Sequence, residues 1–188
     1  MRIIAGKAKH LLLISPMGSQ TRPTTDRIKE TLFNMIQYDL EGTTFIDLYA
    51  GSGGICLEAI SRGAKSGFLV ENEKEAIACI QANLKSTKLE DSCVLIKNDV
   101  LTAIQNQLPT LIKEPVEIIF MDPPYGSDVE SEVLTALKKQ PFVNEDTLII
   151  IEADKQKSFD FVSNIGFTII KEKLYKTNKH VFLHATEV

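Results

Sequence analysis

Two rhythms of apolar residues alternate along most of this chain. From residue 44 onward five short apolar runs recur: TFIDL, GFLVE, CVLIK, EIIFM and TLIII. Runs of strand length with no wet face are those of a parallel sheet buried on both sides. Between them the spacing lengthens to three and four residues. Ile55 to Ile60, Ile77–Ile80–Leu84 and Val133–Leu134–Leu137 predict helices. Strand and helix in alternation predict a doubly wound α/β sheet, mostly parallel, with helices on both faces. The tail changes rhythm. GFTIIKEKLY and KHVFLHA, separated by Lys176–Asn178, predict an antiparallel hairpin closing one edge. Upstream, RIIAG and HLLLIS predict a short hairpin, and RPTTDRIKETLFNMIQ predicts a helix. Thr24 or Thr25 can cap that helix and Asp26 suits its dipole, with Ile28, Leu32, Met35 and Ile36 on one face.

Composition narrows the class. A length of 188 residues suits a single domain able to bury about two-thirds of its unfolded surface. The longest apolar runs fall far short of the roughly 20 residues that span a bilayer. MRIIAGKAKHLLLISP has too short an apolar centre for a secretory leader. Cys56, Cys79 and Cys93 are odd in number and form no CxxC pair, so reduced thiols in a cytoplasmic protein are expected, with neither a disulfide framework nor a zinc site. The net charge of −4 hides an uneven distribution. Residues 1–30 and 155–180 are each net positive, while 31–154 is strongly acidic, so two basic ends could grip a polyanion locally.

In a doubly wound sheet, ligands bind beyond the carboxyl ends of the strands, where strand order reverses. The first four runs each deliver an acid there: Asp47, Glu71, Asp99 and Asp122. Carboxylates crowded on one rim repel one another, so a ligand rich in donors best explains them. DLYAGSGGICLEA places Gly51, Gly53 and Gly54 between the first strand and its helix, where glycine allows positive φ and close backbone approach. A dinucleotide fingerprint G-x-G-x-x-G/A fails at Cys56, and a phosphate-binding P-loop lacks its Gly-Lys-Ser/Thr. Asp47 four residues before the loop suits a ligand ammonium better than a pyrophosphate. S-adenosylmethionine has that ammonium, a ribose diol for Glu71 and an adenine amino group for Asp99.

FMDPPYGSD, residues 120–128, sets rigid residues beyond the fourth run. A planar exocyclic amine such as N2 of guanine is a poor nucleophile, because its lone pair is delocalised into the ring. Asp122 and the carbonyl of Pro123, each accepting one N–H, steer that nitrogen toward tetrahedral geometry and its lone pair toward a sulfonium methyl. Proline holds the carbonyl still, and Pro124 keeps Pro123 extended. Tyr125 offers a face on which the base can stack. Histidines 10, 180 and 184 suggest no chemistry, and His180 and His184 read as packing or surface positions of a strand.

These blocks resemble the bacterial 16S rRNA guanine-N2 methyltransferases that modify guanine 966 of the small ribosomal subunit. MRIIAGK, RPTTDRIKETLFN, DLYAGSGGICLEAISRGA, VENEKEAIACIQANL and IIFMDPPYG stand in that family's order and spacing. DPPY alone is shared by many amino-directed methyltransferases; the N-terminal blocks select this family. The resemblance implies a seven-stranded class I methyltransferase domain, residues 21–188, preceded by a β-hairpin extension, residues 1–20. It implies that Asp47, Gly51 and Gly53 hold the methionine end of S-adenosylmethionine, Glu71 the ribose and Asp99 the adenine. Asp122, Pro123 and Tyr125 would then act on the guanine, with Pro124 beside them and Arg22 and Arg27 at the mouth. The implied substrate is 16S rRNA in the 30S subunit or an assembly intermediate, met by a monomer. Tyr49, Gly54 and Cys56 depart from the common pattern, and KHLLLISPMGSQ is less basic than usual, which leaves Lys7, Lys9 and His10 unassigned. A DNA adenine-N6 methyltransferase would share DPPY but needs a base-recognition region for which there is little room. A cofactor-binding module without turnover is opposed by the intact DPPY and the full set of acids.

Overall fold

A computed structural model describes residues 1–16, 26–124, 126 and 128–186. The elements alternate as the periodicity predicts: α1 (Asp26–Ile36), β1 (Thr44–Leu48), α2 (Gly54–Ser61), β2 (Ser66–Glu71), α3 (Lys74–Thr87) and β3 (Cys93–Lys97). An irregular helical stretch follows, α4 (Val100–Thr102) and α5 (Leu108–Leu111) joined by a π turn at Ala103–Gln107. Pro109 stands at the start of α5; without an N–H it cannot continue the preceding hydrogen-bond ladder. Then come β4 (Ile118–Met121), α6 (Glu130–Lys138), β5 (Leu148–Asp154), β6 (Phe167–Leu174) and β7 (Asn178–Ala185). Among the described residues no helix is long and apolar enough to cross a membrane.

The seven strands lie in the order β3-β2-β1-β4-β5-β7-β6. β1 to β5 are parallel, and β7 enters antiparallel beside β5 with β6 outside it. Strand order reverses between β1 and β4, the place where such a sheet opens a crevice. Both faces are covered, which is why the runs are continuously apolar. Ile46, Leu48, Ile119, Met121 and Ile151 face one layer; Phe45, Leu69, Phe120 and Ile150 face the other, packed under α1, α2 and α3. β6 is the edge, exposed along nearly its whole length and carrying Lys171, Glu172 and Lys173, charges that discourage edge-to-edge pairing.

The N-terminal segment folds back on itself. Ile3 N–H donates to the Leu11 carbonyl, His10 N–H to that of Ile3 and Leu13 N–H to that of Met1. It is clamped to α2 by a buried charge cluster. Glu58 accepts the N–H groups of Ile4 (2.8 Å) and Ala5 (3.0 Å) and pairs with Lys29 (3.2 Å) and Arg62 (2.7 Å). Lys29 also donates to the Arg2 carbonyl at 2.6 Å. The buried face of α1 is therefore Lys29–Leu32–Phe33–Ile36, with Ile28 and Met35 only half-buried. Lys29, one of the cations of the net-positive stretch 1–30, is fully buried. Burial depresses its pKa even though Glu58 opposes the shift.

Candidate functional site

Strand alternation decides which way the rim acids point. Phe45, Leu69, Phe120 and Ile150 face the layer under α1, α2 and α3, so Asp47, Glu71, Asp122 and Glu152, each two residues further on, leave the same side of the sheet. Asp47 is sealed beneath the glycine loop at 1% exposure and accepts the Cys56 N–H at 3.1 Å, in the first turn of α2. Burial outweighs that hydrogen bond, and Glu71 adds to it, raising the Asp47 carboxyl to about 7. A cation brought against it would draw it into the ionised form.

Glu71 ties the loop together. Its Oε2 accepts the Gly51 N–H at 2.7 Å, and its Oε1 accepts those of Asn72 (2.8 Å) and Glu73 (3.0 Å). Its carboxylate also lines a cleft of about 150 Å³, together with Asp99 and the apolar walls of Val70, Val100, Leu101 and Val133. Asp99 caps α4, accepting the Thr102 N–H at 2.9 Å, and hydrogen bonding by the Thr102 side chain and then its backbone holds the carboxyl below the ordinary value. Tyr49 closes the same cleft from a left-handed backbone, φ 67°, a conformation that costs a bulky residue about 1–2 kcal/mol. Burial, followed by the nearby acids Glu130, Glu132 and Asp99, pushes its hydroxyl up to about 12.

The two loop glycines share a left-handed backbone, φ 56° at Gly51 and 76° at Gly53, and differ in what surrounds them. A Cβ at Gly51 would meet nothing within 4 Å, so the loop is open there to a ligand. One at Gly53 would strike Leu69 at 2.9 Å, and its φ of 76° is left-handed, so packing and conformation require that glycine. The donor set fits S-adenosylmethionine. Glu71 and Asp99 offer acceptors in a cleft whose apolar walls suit a purine, Asp47 lies beneath the glycine loop, and the loop leaves room beside Gly51. Two sequence-predicted residues are not brought into the described site: Arg22 and Tyr125 lie outside the described residues, as do Thr24 and Thr25. Arg27 is exposed in the first turn of α1.

Asp122 follows β4 directly, half-buried, with Pro123 buried and Pro124 exposed. Burial, then Glu152 and Asp47, holds its carboxyl well above the usual range. Glu152 is 4% exposed. Its Oε1 accepts from Asn178 Nδ2 at 2.5 Å, and its Oε2 lies 3.2 Å from His180 Nε2. His180 Nδ1 is 3.0 Å from the Tyr175 hydroxyl, and the imidazole itself is fully buried. Sequence reading missed this network, although the fifth apolar run carries its acid as the first four do. Asn83 was missed too. Its side chain donates to the Ser52 carbonyl of the glycine loop and to the Ile14 carbonyl (2.9 Å each) and accepts the Ile14 N–H at 2.9 Å. It thereby ties the N-terminal segment to the loop.

The chain is similar to known proteins along nearly its whole length. The family described as "Conserved hypothetical protein 95" matches residues 1–184. "Putative rRNA methyltransferase YlbH" of Bacillus subtilis (strain 168) is 35% identical over 83% of this chain and 84% of its own. "Ribosomal RNA small subunit methyltransferase D" of Escherichia coli (strain K12) is 30% identical over 93% and 84%. Among solved structures, a conserved hypothetical protein of Streptococcus pyogenes superposes with a TM-score of 0.73 at 32% identity, covering 85% of this chain and 95% of that one. The chain belongs to the Conserved hypothetical protein 95 family and is a class I methyltransferase that uses S-adenosylmethionine.

Proposed function

We propose that this protein transfers a methyl group from S-adenosylmethionine to the exocyclic N2 of a guanine in ribosomal RNA, guanine 966 of 16S rRNA, in the 30S subunit or an assembly intermediate. The observation that carries the reading is the juxtaposition of Asp47 and the glycine loop with Asp122–Pro123 across the β1–β4 reversal, all on one side of the sheet. Similarity to the ribosomal RNA small subunit methyltransferases D supports ribosomal RNA of the small subunit as the substrate class.

In this reading Asp47 and the backbone at Gly51 and Gly53 hold the methionine end, Glu71 the ribose hydroxyls and Asp99 the adenine amino group. When bound, S-adenosylmethionine supplies an electrophilic methyl on a sulfonium. Asp122 and the Pro123 carbonyl each accept one N–H of the target amine, which turns its lone pair out of the ring plane and along the line of displacement. Positioning of that kind supplies much of the rate in an in-line transfer. Pro124 keeps Pro123 extended, and Tyr125 stacks the base, a contact worth about 1–3 kcal/mol. The proton that the methylated amine releases passes to Asp122 or to solvent. Residues 1–20 act as an extension of a catalytic domain 21–188. Arg22 and Arg27 meet phosphates at the mouth of the site. The protein works as a monomer.

Mass spectrometry of 16S rRNA from cells lacking the protein tests this. The N2-methyl group on guanine 966 should disappear and return when the wild-type chain is supplied. Its retention in the deleted strain overturns the assignment.

A further inference from the structure

Met121 of β4 lies opposite Ile151 of β5, so Asp122 and Glu152 leave neighbouring strand ends in step and on one face. β7 extends the line, with Glu152 directly opposite His180. Phe120, two residues before Asp122, meets the His180 ring edge-on at 6.2 Å. Asn178, 4% exposed, gives its Nδ2 to Glu152, yet its Oδ1 is buried with no hydrogen-bond partner among the described residues. An orphaned buried acceptor costs about 1–3 kcal/mol, so it marks a place where a donor belongs. The two neighbouring carboxylates and this amide oxygen make an acceptor-rich rim beside Pro123.

A corner of acceptors reads donors. Of the four standard bases, guanine alone sets a ring N–H beside an exocyclic amine, giving three N–H bonds on one edge. Adenine and cytosine place a bare ring nitrogen there, whose lone pair would face a carboxylate. We propose that Glu152 is a specificity-determining residue that accepts the N1–H of the target guanine while Asp122 and the Pro123 carbonyl take the N2 hydrogens. His180 and Asn178 aim its carboxylate, and the Tyr175 hydroxyl fixes the imidazole behind it. This rests on the reading of guanine N2 as the methyl acceptor. A site built to receive a substrate N–H rejects analogues lacking it far more strongly than a shape-fitted pocket does, because its buried polar groups are left unpaired. A buried carboxylate held by two neighbours would thus explain how a DPPY corner, indifferent by itself to which planar amine it grips, selects one base.

The test is single-turnover methyl transfer to reconstituted small-subunit particles whose target nucleotide is guanosine or 2,6-diaminopurine riboside. The second keeps the N2 amine but has a bare N1. The wild-type chain should prefer guanosine by about 100-fold, the range of a lost hydrogen bond to a charged group. Glu152→Ala should lose about 10- to 100-fold on guanosine and change less than about threefold on diaminopurine, so that the preference collapses. Glu152→Gln keeps the volume, and its amide can donate to the bare N1, so it should shift preference toward diaminopurine. A merely structural role would lower both substrates together. Undiminished guanosine preference in both variants overturns the proposal and leaves Asp122 to take N1–H as well as N2–H. A wild-type chain that places no methyl on guanine N2 instead removes the underlying reading, and this inference with it. Unfolding midpoints of the variants separate a misfolded chain from an intact one, and Glu152→Gln, isosteric with the native side chain, decides the matter if Glu152→Ala proves unfolded.

Discussion

Asp47 and Asp122 stand at the ends of adjacent strands, and both hold protons more tightly than free carboxyls do, chiefly because each is buried. For Asp47 the consequence for stability has a definite sign. Between 3.8 and about 7 the folded chain holds a proton that the unfolded chain has lost, so stability falls as pH rises through that window. Above pH 7 the penalty is complete, on the order of 4 kcal/mol at about 1.4 kcal/mol per tenfold change in proton affinity. Asp47→Asn keeps an acceptor for the Cys56 N–H and removes the penalty. Its gain in urea-unfolding free energy should be about 2–3 kcal/mol larger at pH 8 than at pH 5, and an equal gain at both values would contradict the burial argument. The same substitution should weaken S-adenosylmethionine binding. Asp122→Ala should behave differently: kcat falls by about 10²–10³, while cofactor affinity measured by calorimetry stays within about threefold. Near-native turnover in that variant would leave the amine-steering mechanism without its acceptor.

The element that most departs from expectation is the N-terminal segment with the helices it touches. Charge counting sets Lys29 among the cations of the net-positive stretch 1–30, but the fold closes over it and uses it with Glu58 and Arg62 to hold backbone that would otherwise lack partners. Arg62 in turn lies over the Phe33 ring at 5.1 Å. Removing one member of a buried pair leaves the other uncompensated, at about 3–5 kcal/mol. Glu58→Ala should lower unfolding free energy by that amount and expose residues 1–16 to protease before the sheet unfolds. Uniform protection of that segment in the variant would show that the clamp is dispensable. Gly6 belongs to the same seam: its φ is 81°, and a Cβ there would collide with the Ser61 carbonyl, so Gly6→Ala should be destabilising as well. Asn83 adds the functional link, since the loop carbonyl of Ser52 and the backbone of Ile14 share one side chain. The segment and the glycine loop are thus held by one side chain.

At the scale of the whole molecule, binding should be visible as stability. S-adenosylhomocysteine at about 100 times its Kd adds about 2.7 kcal/mol to the native state, or roughly 5–10 °C in Tm for a chain of this size; no shift under those conditions would reject the assigned site. Much of that site was legible beforehand. Strict alternation of apolar runs with helical spacing determined the layered α/β sheet, because a strand buried on both faces admits no polar side chain except at its ends. Asp47, Glu71, Asp99 and Asp122, with the glycine loop and DPPY, stood out for the same reason, being polar or rigid where the pattern demands neither. Tertiary structure alone decided the rest. Glu152, His180 and Asn178 are scattered over two strands of opposite direction, and only the placing of β7 beside β5 sets them against Asp122. Whether Lys29 is solvated or sealed likewise depends on what lies over it. Periodicity reports how each element faces its core, since that is a property of neighbours in the chain. Which buried charges meet is a property of neighbours across the sheet, and that the packing determines.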